Sequence, residues 1–89
     1  MSRIQAIEQA LVPLSPSILN IQDDSHKHAG HAGAQDGRGH FTLFIVSEQF
    51  GGLSLLKRHQ LVYQALAELL KTDIHALSIQ AKIASECIL

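Results

Sequence analysis

Histidine is the residue of this chain best equipped for chemistry, and its placement is uneven. Six histidines occur among 89 residues, and four of them, His26, His28, His31 and His40, fall within fifteen consecutive positions. Imidazole is a ligand for zinc, copper, nickel and iron, and it is the side chain that changes charge near neutral pH. The pattern His26-x-His28-x-x-His31 brings three imidazoles within reach of one ion, and Asp24 can add an oxygen. Any single one of these histidines is equally well explained by a solvated polar loop. Ligands on such a loop bind weakly until something orders them, and a second protein sharing the metal would supply that order. A zinc or nickel buffer built from His26, His28 and His31 alone is the simpler alternative.

Other reactive chemistry is poorly served. Asp23-Asp24 is the sole adjacent acidic pair, and neighbours on a strand point to opposite faces. The sequence has no Gly-x-Ser-x-Gly elbow, phosphate loop or His-Glu-x-x-His pattern. Cys87 lies too near the C-terminal end to make a preorganised nucleophile, so the chain reads as no enzyme. A single cysteine also forms no internal disulfide and no Cys-rich metal site, which suits a reducing compartment, taken as the cytoplasm. Gly30-His31-Ala32-Gly33 matches the GxxG expression of nucleic-acid-binding KH loops. That loop joins two helices, whereas this one falls between two predicted strands, so the match is read as chance.

Charge narrows the partners. Seven Lys plus Arg against eight Asp plus Glu leave a formal net charge of −1, and 17% charged residues is sparse for a domain where roughly 25% is usual. Nucleic-acid affinity comes mostly from neutralised phosphates, so DNA would need a local patch. Lys57-Arg58 is the only adjacent basic pair. No apolar run approaches the roughly 20 residues of a membrane span, and the N-terminal residues lack the apolar core of a secretory signal.

The elements that must position these residues follow from periodicity. Ile4, Ile7 and Leu11 recur at helical spacing over residues 2–12, Ser2-x-x-Gln5 has the form of a capping box, and Pro13 and Pro16 end the helix. Residues 17–23 read as a strand. Residues 24–39 read as a flexible His/Gly-rich loop, of the length that is often functional. His40 to Ser47 gives the strongest strand signal, with Phe41, Leu43 and Ile45 on one face. After Phe50-Gly51-Gly52, Ser54 caps a long helix. Its expected apolar stripe is Leu55, Leu56, His59, Val62, Tyr63, Leu66, Leu69 and Leu70, with His59 packed half-buried inside it. Thr72-Asp73 ends that helix, and residues 76–83 alternate cleanly. His75 has the parity of the core face but sits at the strand's leading end, where it can look outward. Residues 85–89 can begin a short helix. The predicted order is α-β-β-α-β(-α) in one domain over 1–89. It is an α+β fold with a three-stranded mixed sheet and helices packed on one face.

The run Phe50-Gly51-Gly52-Leu53-Ser54-Leu55-Leu56-Lys57-Arg58-His59-Gln60-Leu61-Val62-Tyr63, then Leu66-Ala67-Glu68-Leu69 and Ile74-His75-Ala76-Leu77-Ser78-Ile79, closely resembles the BolA family. Ser25-His26-Lys27-His28-Ala29-Gly30-His31 leading to Gly39-His40-Phe41 is similar to the loop of many bacterial members. The resemblance extends from the first helix to about Ile83, and its specificity lies in the order and spacing of the motifs together.

The resemblance implies a fold similar to class II KH domains without their GxxG loop. It also implies a monothiol glutaredoxin partner and a [2Fe-2S] cluster shared with that partner and its glutathione, with no cofactor expected in the isolated chain. The family's histidine ligand at the start of the third strand maps onto His75. Its loop ligand maps in two registers: counting forward from Asp24-Ser25 selects His28, which is preferred, and counting back from His40-Phe41 selects His31. The family's other described role is DNA binding by regulators of morphology and stress responses, through a helix carrying Arg-His-Arg. This chain has Arg58-His59-Gln60, which removes one phosphate-contacting charge and leaves Lys57, Arg58 and Lys82 as the candidate DNA contacts. An apo homodimer is a further expectation of this reading.

Overall fold

The computed structural model describes residues 2–25 and 38–87. Ser2 opens helix α1 (Arg3–Ala10) with the expected capping box. Its Oγ accepts the Gln5 N–H at 3.1 Å, and its own N–H donates to the Gln5 side chain at 3.0 Å. A 3-10 turn at Val12–Leu14, with Pro13 inside it, stops the helix. Strands β1 (Ile18–Asp23) and β2 (Gly39–Val46), helices α2 (Leu55–Ala65) and α3 (Ala67–Thr72) and strand β3 (Ile74–Lys82) follow, with a final 3-10 turn at Ala84–Cys87.

The sheet order is β1-β2-β3, with β1 antiparallel and β3 parallel to the central strand. A parallel neighbour demands a crossover, which α2 and α3 provide. Phe41, Leu43 and Ile45 of β2 meet Ile7, Leu11 and Leu14 from the N-terminal helix and turn, and Val62 and Leu66 from the crossover. On the opposite face Phe44 is flanked by Asn20 and Gln80, and the next row, Gln22, Thr42 and Ser78, is polar throughout. This is the mixed three-stranded α+β sheet expected from the pattern. Among the described residues no helix is long and apolar enough to cross a membrane.

Three details depart from the sequence pattern. The long helix divides at the fully buried Leu66, whose backbone (φ −98°, ψ 10°) caps α2 and begins α3. The bonds Leu66 N–H to Val62 O and Leu70 N–H to Leu66 O survive on either side, so the break is a kink. The buried stripe of α2 is also rotated: Leu55 and Leu56 are 67% and 68% exposed and Tyr63 is exposed, while Arg58 is buried at 7%. At the C-terminal end, a 3-10 turn at Ala84–Cys87 stands where residues 85–89 were expected to begin a helix.

Arg58 goes inward because all three nitrogens of its fork find acceptors. Nε donates to Leu53 O at 3.0 Å and Nη1 to Ala81 O at 3.0 Å. Nη1 and Nη2 reach the two carboxylate oxygens of Glu86 at 2.7 and 3.1 Å. A guanidinium carries five donors in a planar fork, so this site suits arginine and not lysine. The bonds tie the start of α2 to the end of β3. They also hold the Glu86 carboxyl down to about 2 from 4.5, first through Arg58 and then through the Ile83 N–H at 2.9 Å.

A folded pKa below the unfolded one means that ionised Glu86 stabilises the fold above pH 4.5, and that this contribution is lost as pH falls to about 2. Urea unfolding of Glu86→Gln should therefore show a deficit against wild type at pH 7 that shrinks below pH 4.5. A pH-independent deficit would assign the effect to packing alone. Gly39 supplies a second test. A Cβ there would stand 2.6 Å from Cε2 of the buried Phe41 and 2.9 Å from Ser25 Oγ. Gly39→Ala should cost ~1–3 kcal/mol of unfolding free energy, as overpacking does.

Candidate functional site

His75 is placed by an irregularity in the β2–β3 pairing. Gly39 pairs with Ile74 and His40 with Ala76, so β3 spends one more residue than β2, and that residue is His75. Such a bulge re-aims a side chain. Ile74 enters the core at 1% exposure, the inward alternation restarts at Leu77, and the His75 side chain is exposed at the leading end of the strand. Gly39 N–H donates to Asp73 O at 2.8 Å, which closes the parallel pairing against the end of the crossover.

Among the described residues, Arg38 and His40 stand against the ring. Arg38 Nη2 lies 3.1 Å from His75 Nδ1, and Arg38 Nη1 donates to Leu70 O at 3.2 Å. The His40 ring lies 5.1 Å from that of His75, centroid to centroid, tilted by 46°. His40 is 9% exposed, and its backbone is stapled to the end of β1: its N–H donates to Ser25 Oγ at 3.0 Å and its carbonyl accepts the Asp24 N–H at 2.7 Å. Ser25 N–H in turn donates to Asp23 Oδ1 at 2.9 Å. Asp24, which the sequence offered as a loop oxygen ligand, is a buried carboxylate accepting the Thr42 hydroxyl.

The remaining candidates distribute as follows. His26, His28 and His31, and with them the Gly30–Gly33 match, lie outside the described residues. Among the described residues no three His, Cys, Asp or Glu side chains converge to hold a metal ion. Cys87 is half-buried with Sγ 3.7 Å from Ile83 O. It lies beyond the far end of β3, which from His75 to Lys82 alone runs about 23 Å at the usual rise per residue. The chain therefore brings an imidazole to one end of the sheet and keeps its thiol at the other.

The basic candidates are also separated. Lys57 is exposed in the first turn of α2, Lys82 is half-buried at the end of β3, and Arg58 is enclosed by Glu86 and two carbonyls. Consecutive helical residues diverge by about 100°, so the adjacent pair in sequence does not make one basic patch. His59 is half-buried as expected, in a shallow groove lined by Leu55, Ile79, Gln80, Ala81 and Lys82. The residue that sequence reasoning missed is Arg38. Its one signal was position, directly before the Gly39-His40 that opens the central strand.

This geometry has known counterparts. Residues 7–86 match the family model described as BolA-like protein. The chain is 51% identical over 76 residues to Protein BOLA1, chloroplastic, of Arabidopsis thaliana, covering 82% of this chain and 48% of that protein. It is 34% identical over 86 residues to the DNA-binding transcriptional regulator BolA of Escherichia coli (strain K12), covering 97% and 79%. It also matches SufE-like protein 1, chloroplastic/mitochondrial, of Arabidopsis thaliana over 21% of that protein's length, so it spans about half or less of the first curated relatives it matches. The solved structure of BolA1 from Arabidopsis thaliana superposes with a TM-score of 0.84 at 40% identity, covering 99% of both chains. The BolA domain of SufE1 from the same plant gives 0.84 at 45% identity, covering 97% and 96%. The E. coli relative is thus named as a regulator and the plant relatives by their organelles. With nearly its whole length matched in sequence and in fold, this chain belongs to the BolA-like protein family.

Proposed function

We propose that this chain is a non-catalytic adaptor that binds a monothiol glutaredoxin and shares a [2Fe-2S] cluster with it, in iron–sulfur trafficking or in iron and stress signalling. The observation that carries the reading is the exposed His75 imidazole at one end of β3, with the chain's single thiol at the other. An imidazole suits iron, and one alone is half a site, so the sulfur ligands must come from another molecule. A glutaredoxin cysteine and glutathione would provide them. His28 or His31 would add the second imidazole from this chain. The proposed compartment is the cytoplasm, where a free cysteine and the thiols that would ligate a cluster are both protected from disulfide formation.

A second reading is supported by the E. coli relative, named as a DNA-binding transcriptional regulator. Lys57 and Lys82 would then contact phosphate, and Arg58 would join them only by giving up its fork to Glu86.

Reconstitution of the cluster with a monothiol glutaredoxin and glutathione tests the first reading by visible absorption and circular dichroism. Loss of a hydrogen-bonding neighbour of a ligand lowers metal affinity 10–100-fold, so His75→Ala, which removes a ligand, should weaken retention of the cluster against a competing chelator at least about tenfold. An unchanged spectrum would remove His75 from the site. His28→Ala and His31→Ala, made separately, decide between the two registers. For the second reading, duplex binding should weaken steeply with salt, and Lys57→Ala with Lys82→Ala should reduce the salt slope by about 2. A slope unchanged by both substitutions would exclude this surface.

A further inference from the structure

We propose that Arg38 guards His75: it occupies the ring nitrogen in the resting protein, so that His75 accepts a metal only when Arg38 is drawn away. The inference rests on the reading of His75 as a ligand. A guanidinium has donors and no acceptor, so at 3.1 Å from Arg38 Nη2 the Nδ1 atom presents its lone pair, and the ring proton sits on Nε2. Neither nitrogen is then ready to coordinate. A metal at Nδ1 would take the lone pair that Arg38 uses and would set two cations face to face. A metal at Nε2 requires the ring proton to move to Nδ1, where the new N–H would point at a group that can only donate. Both routes break the Arg38–His75 bond.

Arg38 is stationed for this role. Its second bond, Nη1 to Leu70 O at 3.2 Å, anchors the guanidinium on the end of α3 independently of His75. The other nearby ring, His40, is held by its backbone bonds to Ser25 and Asp24 and packs at 5.1 Å. Of the other charged groups on these elements, Asp73 is directed to Arg3 at 3.4 Å, Asp24 accepts from Thr42, and Lys71 pairs with Glu68 at 3.5 Å.

The consequence is selectivity. A free divalent cation offers Arg38 only repulsion. A metal that arrives already ligated by thiolates brings negative charge, which the released guanidinium can hold in a charge-assisted bond. Arg38 therefore acts as a positioning residue that favours metal delivered by an anionic partner over metal taken from solution.

The test uses the full chain without a partner. Long-range 15N–1H correlation spectra of His75 should show a proton on Nε2 and a bare Nδ1 in the wild type. Co2+ is then titrated and followed by paramagnetic broadening of the His75 ring signals, in a chain that also carries His26→Ala, His28→Ala, His31→Ala and His40→Ala, so that an ion held on a neighbouring ring such as His40, 5.1 Å away, does not broaden His75 in its place. A hydrogen bond to a charged group corresponds to about a tenfold change in affinity. Arg38→Ala should accordingly broaden His75 at about tenfold lower Co2+, and Arg38→Lys, which keeps a cationic donor, should stay near wild type. A proton on Nδ1 in the wild type, or an unchanged Co2+ response in Arg38→Ala, would overturn the guard. Such a result leaves the ligand reading standing if His75→Ala still alters the glutaredoxin-bound spectrum. If His75→Ala has no effect on that spectrum, the ligand reading fails and the guard with it.

Discussion

The parallel pairing of β2 with β3 carries one extra residue, and the placement of the chemistry depends on it. From Gly39 to Val46 the central strand takes seven steps, while its partner takes eight from Ile74 to Lys82. The pairing is held at its two ends, by Gly39 N–H on Asp73 O and by Ser47 N–H on Lys82 O. The surplus is absorbed between Gly39 and His40. An unbroken ladder would keep one alternation along the whole strand and send either Ile74 or His75 to the wrong side. With the extra residue, Ile74 seals the core and His75 stays in solvent. Gly39 is part of the same device, because the approach of Phe41 and Ser25 leaves no room for a Cβ.

The sheet that results has two chemically different ends. At one lie His75, His40 and Arg38, near the mouth of the segment that carries the remaining loop histidines. At the other lie Arg58, Glu86 and Cys87, with the carboxylate spent on the guanidinium and on the Ile83 amide. The Arg58–Glu86 fork ties the first turn of α2 to the residues after β3, so the crossover is pinned at the end away from the histidines. The histidines at the first end and the clamp at the second do not compete for the same side chains.

Much of this was legible in the residues. The α1 cap, the three strands and their order follow from local signals: Ser2 and Gln5 three apart, β-branched and aromatic runs, and alternation from Leu77 to Ile83. The outward reach of His75 was also readable, from its place at the strand's leading end. Periodicity could not show the bulge, because a one-residue surplus becomes visible only once a partner strand sets the register. It failed similarly on α2, where it counted Leu55 and Leu56 as buried and Arg58 as a surface charge. Hydrophobic pattern assigns arginine to water. It has no means of knowing that two carbonyls and a carboxylate from distant residues will meet the guanidinium, which makes burial affordable. Arg38 escaped for the same reason, since its partners, Leu70 and His75, are 32 and 37 residues away.

The burial of Arg58 bears on how a chain of net charge −1 can recognise a partner. A basic patch on α2 would have been the natural source of affinity for phosphates, and the fold takes its best cation out of service. What remains exposed on that helix is Lys57 as its one cation, the leucine pair Leu55 and Leu56, and Gln60, Tyr63 and Gln64. Apolar side chains in water favour contact with another protein surface, whereas duplex DNA offers mainly charge and polar edges. The loop histidines add little charge while neutral, yet each offers a lone pair. The described surface, a His75 ring held by Arg38 at one end of the sheet and apolar leucines with one lysine on α2, therefore offers a phosphate backbone less than the adjacent Lys57-Arg58 pair in the sequence suggests.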